Sequence, residues 1–181
     1  MIKKAVGMNF SHLDENGRAR MVDVSGKPET ARTAIACVMV EFEKEVFNKI
    51  INEGVSKGDI FAVAKVAAIM ASKKTSELIP LCHPVFLNVC DIRFDLDHEK
   101  SAIRIYSLAR TRETTGVEME AIVSVNIAAI TIYDMCKALS KKIKINRCSL
   151  LYKSGGKSAV FKNDEITAGD LKVISEWIEP V

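Results

Sequence analysis

Residues 85–112 read VFLNVCDIRFDLDHEKSAIRIYSLARTR, two stretches in which apolar and polar side chains alternate. Alternation with a period of two is typical of a half-buried β-strand. The polar residues at 97–101 separate the two stretches and are enough for a short turn. The segment therefore predicts an antiparallel hairpin with strands at 85–96 and 102–112, and the rest of the fold is arranged around it.

The residues before this hairpin predict one core strand and two helices. β-Branched and small residues indicate a strand from Glu29 to Phe42. Apolar residues at helical spacing predict a helix from Glu43 to Glu53, which Gly54 ends. A second helix is predicted from about Ile60 to Lys74, with Ser56-x-x-Asp59 as a capping box at its start.

The residues after the hairpin predict a long helix, a strand and a terminal helix. Thr115-x-x-Glu118 has the capping-box pattern and opens a helix that runs to about Lys141. The apolar residues of this helix cover more than one stripe, which indicates burial on two sides and hence an oligomer. A strand at 143–152, a loop at 153–158 and a helix at 166–178 complete the chain.

The order βααββαβ, followed by a C-terminal helix, predicts the fold class. With one extra helix removed, it is the split βαβ plan of α+β, ferredoxin-like folds: an antiparallel sheet with helices on one face. We expect residues 1–161 to form a single catalytic domain. Residues 162–181 are expected to be a tail that docks as a helix.

The composition of the chain limits its possible cellular setting and its possible partners. The five cysteines of the 181 residues are odd in number and irregularly spaced, which fits a reducing, cytoplasmic setting. No apolar run is long enough to predict a membrane segment. The net charge of +3 does not require a nucleic-acid partner, and lysines scattered beside turns suit a small polyanion better than a long one.

Cys82 and His83 lie side by side between Pro80 and Pro84. One interpretation is a small buried thiol beside a histidine whose hydrogen bonds are satisfied in the core. The other is that the prolines hold the segment extended and direct His83 towards a ligand. Adjacent residues of an extended chain face opposite ways, which disfavours a Cys–His hydrolase.

Lys57 comes just before the second helix, where the helix dipole disfavours a cation. Free helix N–H groups, Gly58 and an ammonium group together predict an anion site, and phosphate is the obvious anion. The alternative is a solvated loop lysine. Both interpretations stay open on this pattern.

The long predicted helix carries three carboxylates of interest. Glu118 serves as the capping partner of Thr115, whereas Glu120 has no structural role assigned. Asp134 and Lys137 are three residues apart and share a helix face, either as a surface ion pair or as a partly buried acid–base pair. Glu120 and Asp134 project from one side about 20 Å apart and could line one groove.

The loop Lys153-Ser-Gly-Gly-Lys-Ser ends like a Walker A loop. Leu151 stands where that motif requires its first glycine, so a P-loop NTPase is rejected. Glycines beside Lys153 and Lys157 can still hold phosphates, and a plain flexible turn is the alternative.

Six motifs in register, between about residues 9 and 161, resemble one family. They are MVDVS at 21–25, KGD at 57–59, LIPLCHP at 78–84, TGVEME at 115–120, TIYDMCK at 131–137 and KSGGKS at 153–158. On these motifs the chain is similar to the cyclic pyranopterin monophosphate synthase family, the molybdenum cofactor biosynthesis protein C family.

The resemblance implies a lyase that converts 3′,8-cyclo-7,8-dihydro-GTP into cyclic pyranopterin monophosphate and releases pyrophosphate. It implies no metal or organic cofactor, and a homohexamer of three dimers with sites at subunit interfaces. The catalytic residues it implies are Asp134, Lys137, Lys57 and His83. The substrate-binding residues expected from the resemblance and the residue chemistry are Leu81, Cys82, His83, Glu118, Met119, Glu120, Lys153 and Lys157.

Two other function classes compete with this prediction. A non-catalytic nucleotide- or RNA-binding ferredoxin-like module would show paired aromatic residues on a central strand, and Phe86, Phe94 and Tyr106 do not form that motif. A cysteine-dependent amidase would require Cys82 as its nucleophile.

Overall fold

The structure of the protein, a computed structural model, describes residues 16–157 and 159–178. Residues 9–15 of the family resemblance, Ser158 of the last motif and residues 179–181 of the tail lie outside this range. In chain order the elements are β1 (Thr30–Glu41), α1 (Lys44–Glu53), α2 (Ile60–Ser72), α3 (Thr75–Leu78), β2 (Val89–Asp97), β3 (Ala102–Glu113), α4 (Glu118–Cys136), β4 (Lys144–Ser154), β5 (Phe161–Lys162) and α5 (Ala168–Ile178).

The five strands form one antiparallel sheet in the order β2-β3-β1-β4-β5. The predicted hairpin and the α+β class are confirmed. Strand β2 begins at Val89 instead of Val85, because the preceding residues contact β3 through isolated hydrogen bonds such as Asn88 N–H to Arg110 O at 2.9 Å. The short elements α3 and β5 were not predicted, because segments of four and two residues are too short for a periodic signal.

One face of the sheet carries the main core, where α1, α2 and α4 pack over alternate β1 residues from Ala34 to Val40. Helices α2 and α4 approach closely because small residues line their contact, and Ser124 Oγ donates to Ala68 O at 3.0 Å. Helix α4 is long and apolar enough to cross a membrane by length and composition alone. However, 56% of its most apolar window is buried inside the fold, as expected of a core helix.

The predicted C-terminal helix is present as α5, and it covers the opposite face of the sheet. Val173 and Ile174 pack there on apolar side chains of β1 and β3. Asp170 is fully buried and accepts hydrogen bonds from Arg104 Nη2 at 2.8 Å and from Tyr106 OH at 3.0 Å. The prediction of helices on one face therefore holds for α1, α2 and α4 but not for α5, because the central strands are buried on both faces.

The helix ends agree with the sequence pattern at Gly54 and differ from it at the two predicted capping boxes. Gly54 ends α1 with a φ of 76°, as predicted. Asp59 is itself the N-cap of α2, since its carboxylate accepts from the first free N–H groups, so Ser56 does not cap this helix. Helix α4 begins at Glu118 without a side-chain cap, and the capping box predicted from Thr115 is absent. Both helices are shorter than predicted.

Candidate active site

Helix α4 carries candidate site residues at both of its ends. Glu118 and Glu120 lie in its first turn, and Asp134 lies in its last turn. Fourteen residues of α-helix separate Glu120 from Asp134, which is a distance of about 21 Å along the axis. The two ends of α4 are therefore too far apart for Glu120 and Asp134 to contact one atom of a ligand.

A cleft of about 280 Å³ opens at the amino-terminal end of α4. Three segments form its walls: the turn before β1, the segment before β2 that contains Cys82 and His83, and the start of α4. The cleft brings together six of the predicted site residues: Leu81, Cys82, His83, Glu118, Met119 and Glu120. The other residues lining it are Val22, Val24, Lys27, Val85, Thr115 and Gly116.

Glu118 forms an ion pair in place of the predicted cap. Its carboxylate accepts a hydrogen bond from Lys153 Nζ at 2.8 Å, and the side chains of both residues are about two-thirds buried. The side chain folds back over Gly116, where an added Cβ would come within 1.9 Å of Glu118 Oε2. A side chain at position 116 would therefore displace the Glu118 carboxylate from its present position. Lys157 lies exposed on the following loop and does not line the cleft.

Glu120 lies in the wall of the cleft with a side chain that is 3% exposed. Burial is the main cause that raises the pKa of Glu120 to about 7, and the nearby negative charge of Glu118 adds to it. A carboxyl group with this pKa can hold or release a proton near neutral pH. Glu120 is thus a group of the cleft that can exchange a proton with a bound ligand.

Cys82 and His83 both line the cleft. The segment is not an extended strand here, because Cys82 N–H bonds back to Ile79 O at 3.1 Å in a turn. Burial, assisted by the charge of Glu120, raises the pKa of the Cys82 thiol. A protonated thiol is a weak nucleophile, which argues against the cysteine-dependent amidase.

Asp23 adds a negative charge beside His83. The Ser25 hydroxyl and N–H both donate to Asp23 Oδ1 and hold the pKa of that carboxyl below its usual range, and His83 contributes a smaller attraction. Lys27, from the same turn, lines the cleft as well. No role was predicted for these two residues, although the MVDVS motif at 21–25 was the signal that could have pointed to this turn.

A second cluster, which we call the lysine–aspartate cluster, consists of Lys57, Asp134 and Lys137 at the carboxyl-terminal end of α4. Lys137 Nζ lies 2.6 Å from Asp134 Oδ1, which confirms the predicted contact. Lys57 Nζ lies 3.0 Å from Asp134 Oδ2 and donates to the Asp134 carbonyl at 2.8 Å. The contact between Lys57 and Asp134 was not predicted.

The lysine–aspartate cluster is open to solvent, with 45–55% of each side chain exposed. Of the two interpretations of Asp134 and Lys137, the surface ion pair therefore describes the isolated chain. Hydrogen bonds from Lys137 and then Lys57 lower the pKa of Asp134, and the Asp134 carboxylate in turn raises the pKa of Lys137. With two lysines and one aspartate, the cluster has a positive formal charge that can attract an anion.

The cleft and the lysine–aspartate cluster do not form one continuous site within a single chain. None of Lys57, Asp134 and Lys137 lines the cleft. Glu120 is buried whereas Asp134 is exposed, and the cleft that contains Glu120 does not reach Asp134. Within residues 16–157 and 159–178 no group of three His, Cys, Asp or Glu side chains is arranged to hold a metal ion.

Comparison with known proteins identifies close relatives of the chain. The model of the MoaC family matches residues 21–156. A protein of Thermoanaerobacter sp. (strain X514) is 49% identical over 157 residues, which cover 87% of this chain and 99% of the relative. A protein of Pelotomaculum thermopropionicum is 51% identical over 153 residues, which cover 84% and 90% of the two chains. Each of these relatives is named cyclic pyranopterin monophosphate synthase.

Proposed function

Because the chain belongs to the MoaC family, we propose that it is a cyclic pyranopterin monophosphate synthase, an enzyme of molybdenum cofactor biosynthesis. Its reaction is the lyase step that converts 3′,8-cyclo-7,8-dihydro-GTP into cyclic pyranopterin monophosphate and pyrophosphate. The observation that carries the proposal is the cleft, since the family's motifs at 21–25, 78–84 and 115–120 form its three walls. The substrate is a small, nucleotide-derived molecule.

The cleft suits the base-derived part of this substrate. The carboxyl groups of Glu118 and Glu120 accept hydrogen bonds from the N–H groups of a guanine-type edge. Glu120 can also donate a proton in its neutral form. Leu81, Cys82 and Met119 provide the adjoining surface, and His83 serves there as an acid or base.

The cationic groups suit the triphosphate. Lys153 and Lys157 flank the loop that follows β4, and Lys57 and Lys137 surround Asp134. Cations that hold pyrophosphate stabilise its charge as it leaves. We assign Asp134, with Lys137, Lys57 and His83, to the proton transfers that rearrange the purine into a pterin.

A site that uses both ends of α4 requires more than one copy of the chain. The lysine–aspartate cluster lies about 21 Å from Glu120 along one helix, so a second copy has to bring a cluster to the cleft. Exposed apolar side chains on α2 and α4 support such packing: Val63, Val66, Met70 and Ile130 are 46–58% exposed. We propose a homo-oligomer, a hexamer of three dimers, in the cytoplasm.

The arrangement of the chain supports two further assignments. We infer a ferredoxin-like sheet, because β2-β3-β1-β4 has the strand order of that fold. We also infer that residues 1–161 form the catalytic domain and residues 162–181 an accessory tail. The family model ends at residue 156, and α5 lies on the face of the sheet opposite α4.

The test is turnover of chemically prepared 3′,8-cyclo-7,8-dihydro-GTP, followed by pyrophosphate release and by oxidation of the product to a fluorescent pterin. We expect turnover by the native protein and a loss of about 10²–10⁴-fold in Asp134→Asn and Lys57→Ala. Lys65→Ala is the matched control. Lys65 forms an ion pair with Asp91 at 2.7 Å, and its side chain is as exposed as that of Lys57. It does not line the cleft and is not part of the lysine–aspartate cluster.

Product formation that is lost in both variants and retained in the control supports the lyase. A folded oligomer that binds GTP without forming product contradicts it and favours a nucleotide-binding module. The RNA-binding form of that alternative is disfavoured, because the sheet face on which such modules stack bases is covered by α5.

A further inference from the structure

Arg32 lies on β1 between the segment that leads into α4, which carries cleft residues, and the loop that follows Lys153 of β4. It stands opposite Thr111 of β3, and its half-buried side chain lies at the edge of the main core next to Ala34. Its guanidinium group makes two hydrogen bonds, from Nε to Glu113 O at 2.8 Å and from Nη2 to Thr114 O at 2.9 Å. Both acceptors belong to the backbone that leads into α4, so Arg32 holds the segment that ends in Glu118.

The third nitrogen of Arg32 contacts the glycine loop, which we define as residues 155–157 after β4. Gly156 has a φ of 81°, and an added Cβ there would come within 2.4 Å of Arg32 Nη1. Gly155 has a φ of 95°, and its Cβ would come within 2.1 Å of Ala31 O. The glycine loop therefore packs directly on β1 at Arg32, because neither of these positions has a side chain.

We propose that Arg32 is a positioning residue that fixes the start of α4 against the glycine loop. It thereby sets the separation of Glu118, on one segment, from Lys153, on the other. The inference rests on the proposed function for its catalytic consequence. A planar guanidinium group is required because its nitrogens are held in one rigid fork, whereas a lysine ammonium group has a single donor centre on a flexible stem.

Arg32→Lys and Arg32→Ala test the positioning role through the kinetics of the lyase reaction. We expect kcat/KM to fall about 100-fold in both, because displacement of site groups by about 1 Å costs this much without removing any of them. A rise in KM and a fall in kcat are both expected, since the positions of Glu118 and Lys153 relative to each other change. Millimolar guanidinium chloride is expected to restore part of the activity of Arg32→Ala by occupying the vacated position.

Arg110→Ala is the matched control. Arg110 stands on the neighbouring strand β3, but its Nη2 donates to the carbonyl of Trp177 in α5, on the other face of the sheet. We expect this variant to lose stability and to keep its kcat/KM. Activity of Arg32→Lys equal to that of the native protein, or a similar kinetic loss in Arg110→Ala, would overturn the positioning role.

A double-mutant cycle tests the contact itself without using turnover. Gly156→Ala is expected to destabilise the native protein towards denaturant, and to do so less in the Arg32→Ala background, where the guanidinium group is gone. The strain from the positive φ is the same in both backgrounds and cancels. Gly155→Ala is the control, because its clash is with the Ala31 backbone and is not relieved by Arg32→Ala.

The two assays separate failure of the inference from failure of the proposed function. Additive effects of Arg32→Ala and Gly156→Ala contradict the contact, whatever the enzyme's activity. An inactive native protein contradicts the lyase assignment and with it the catalytic part of the inference. Coupling in the cycle together with guanidinium rescue of Arg32→Ala supports the inference.

Discussion

At the amino-terminal end of α4 burial raises the pKa of Glu120 to about 7, whereas at its carboxyl-terminal end two lysines hold the pKa of Asp134 below its usual range. The two groups are carboxylates on one helix, and their environments move their proton affinities in opposite directions. Removal from water disfavours a charged carboxylate, and adjacent ammonium groups favour it. One end of α4 can therefore hold a proton at neutral pH, and the other end stays ionised.

This difference in pKa suggests that the two ends of α4 have different roles in the proposed reaction. Groups whose environments separate their pKa values are natural acid and base partners. In the proposed reaction we assign Glu120 as an enclosed proton donor and the lysine–aspartate cluster as a fixed pattern of charge beside the leaving phosphates. Substitutions at one end of α4 at a time test whether the two ends differ in this way.

Glu120→Gln removes the titrating group at the buried end. Because the folded-state pKa of Glu120 lies above its ordinary value of 4.5, wild-type stability should fall as pH rises from about 4.5 and should level off above about 7. Gln stays neutral, so the variant should lack this loss, which amounts to up to about 3 kcal/mol. Denaturant unfolding of both proteins at pH 5 and pH 8 measures the effect.

Glu53→Gln is the control for this prediction, since Glu53 is exposed at the end of α1. It should leave the pH dependence of unfolding unchanged. An equal pH dependence in wild type and Glu120→Gln would show that burial of Glu120 does not govern its protonation, and the contrast between the two ends would fail.

Lys153→Met breaks the ion pair that holds Glu118. The Glu118 carboxylate, which lines the cleft, then loses its cationic partner and remains close to Glu120. We expect KM for the cyclised nucleotide to rise roughly tenfold, the equivalent of about 1.4 kcal/mol. Steady-state kinetics measure it, with Lys144→Met, an exposed lysine at the start of β4, as the control. An unchanged KM would place Lys153 outside the binding site.

Lys137→Met removes one of the two cations beside Asp134. The pKa of Asp134 should rise towards its ordinary value while the midpoint of thermal unfolding stays nearly the same, because the pair is exposed. Carboxyl carbon NMR titration follows this pKa. Lys142→Met is the control: Lys142 bonds to Glu43, so that variant should raise the pKa of Glu43 and leave Asp134 unchanged.

Features that depend on local spacing were predictable from the sequence. The hairpin followed from alternation, the end of α1 from Gly54, and the contact between Asp134 and Lys137 from their separation of three residues. Each of these requires only a few neighbouring residues and the geometry of one element. The resemblance of six short motifs to one family then predicted the reaction and the residues that take part in it.

Features that join distant parts of the chain were not predictable from those patterns. Lys57 meets Asp134 across 77 residues, and Glu118 meets Lys153 across 35. The Thr115 capping box failed for this reason, because the ion pair with Lys153 draws the Glu118 side chain away from the helix start. The position of α5 on the second face also depends on a distant contact, the buried pair of Arg104 and Asp170.

The strand order has a consequence for synthesis of the protein. Strand β1 is synthesised before β3 and β4 and lies between them in the sheet. Its edge towards β3 is covered once residue 113 has left the ribosome, and its edge towards β4 only after residue 154. At roughly 5–20 residues per second, this interval of about 40 residues lasts a few seconds. An open edge on an apolar strand is a template for pairing with a neighbouring nascent chain. Strand β1 therefore keeps at least one open edge until residue 154 has emerged, and the growing polypeptide is exposed to this kind of pairing until then.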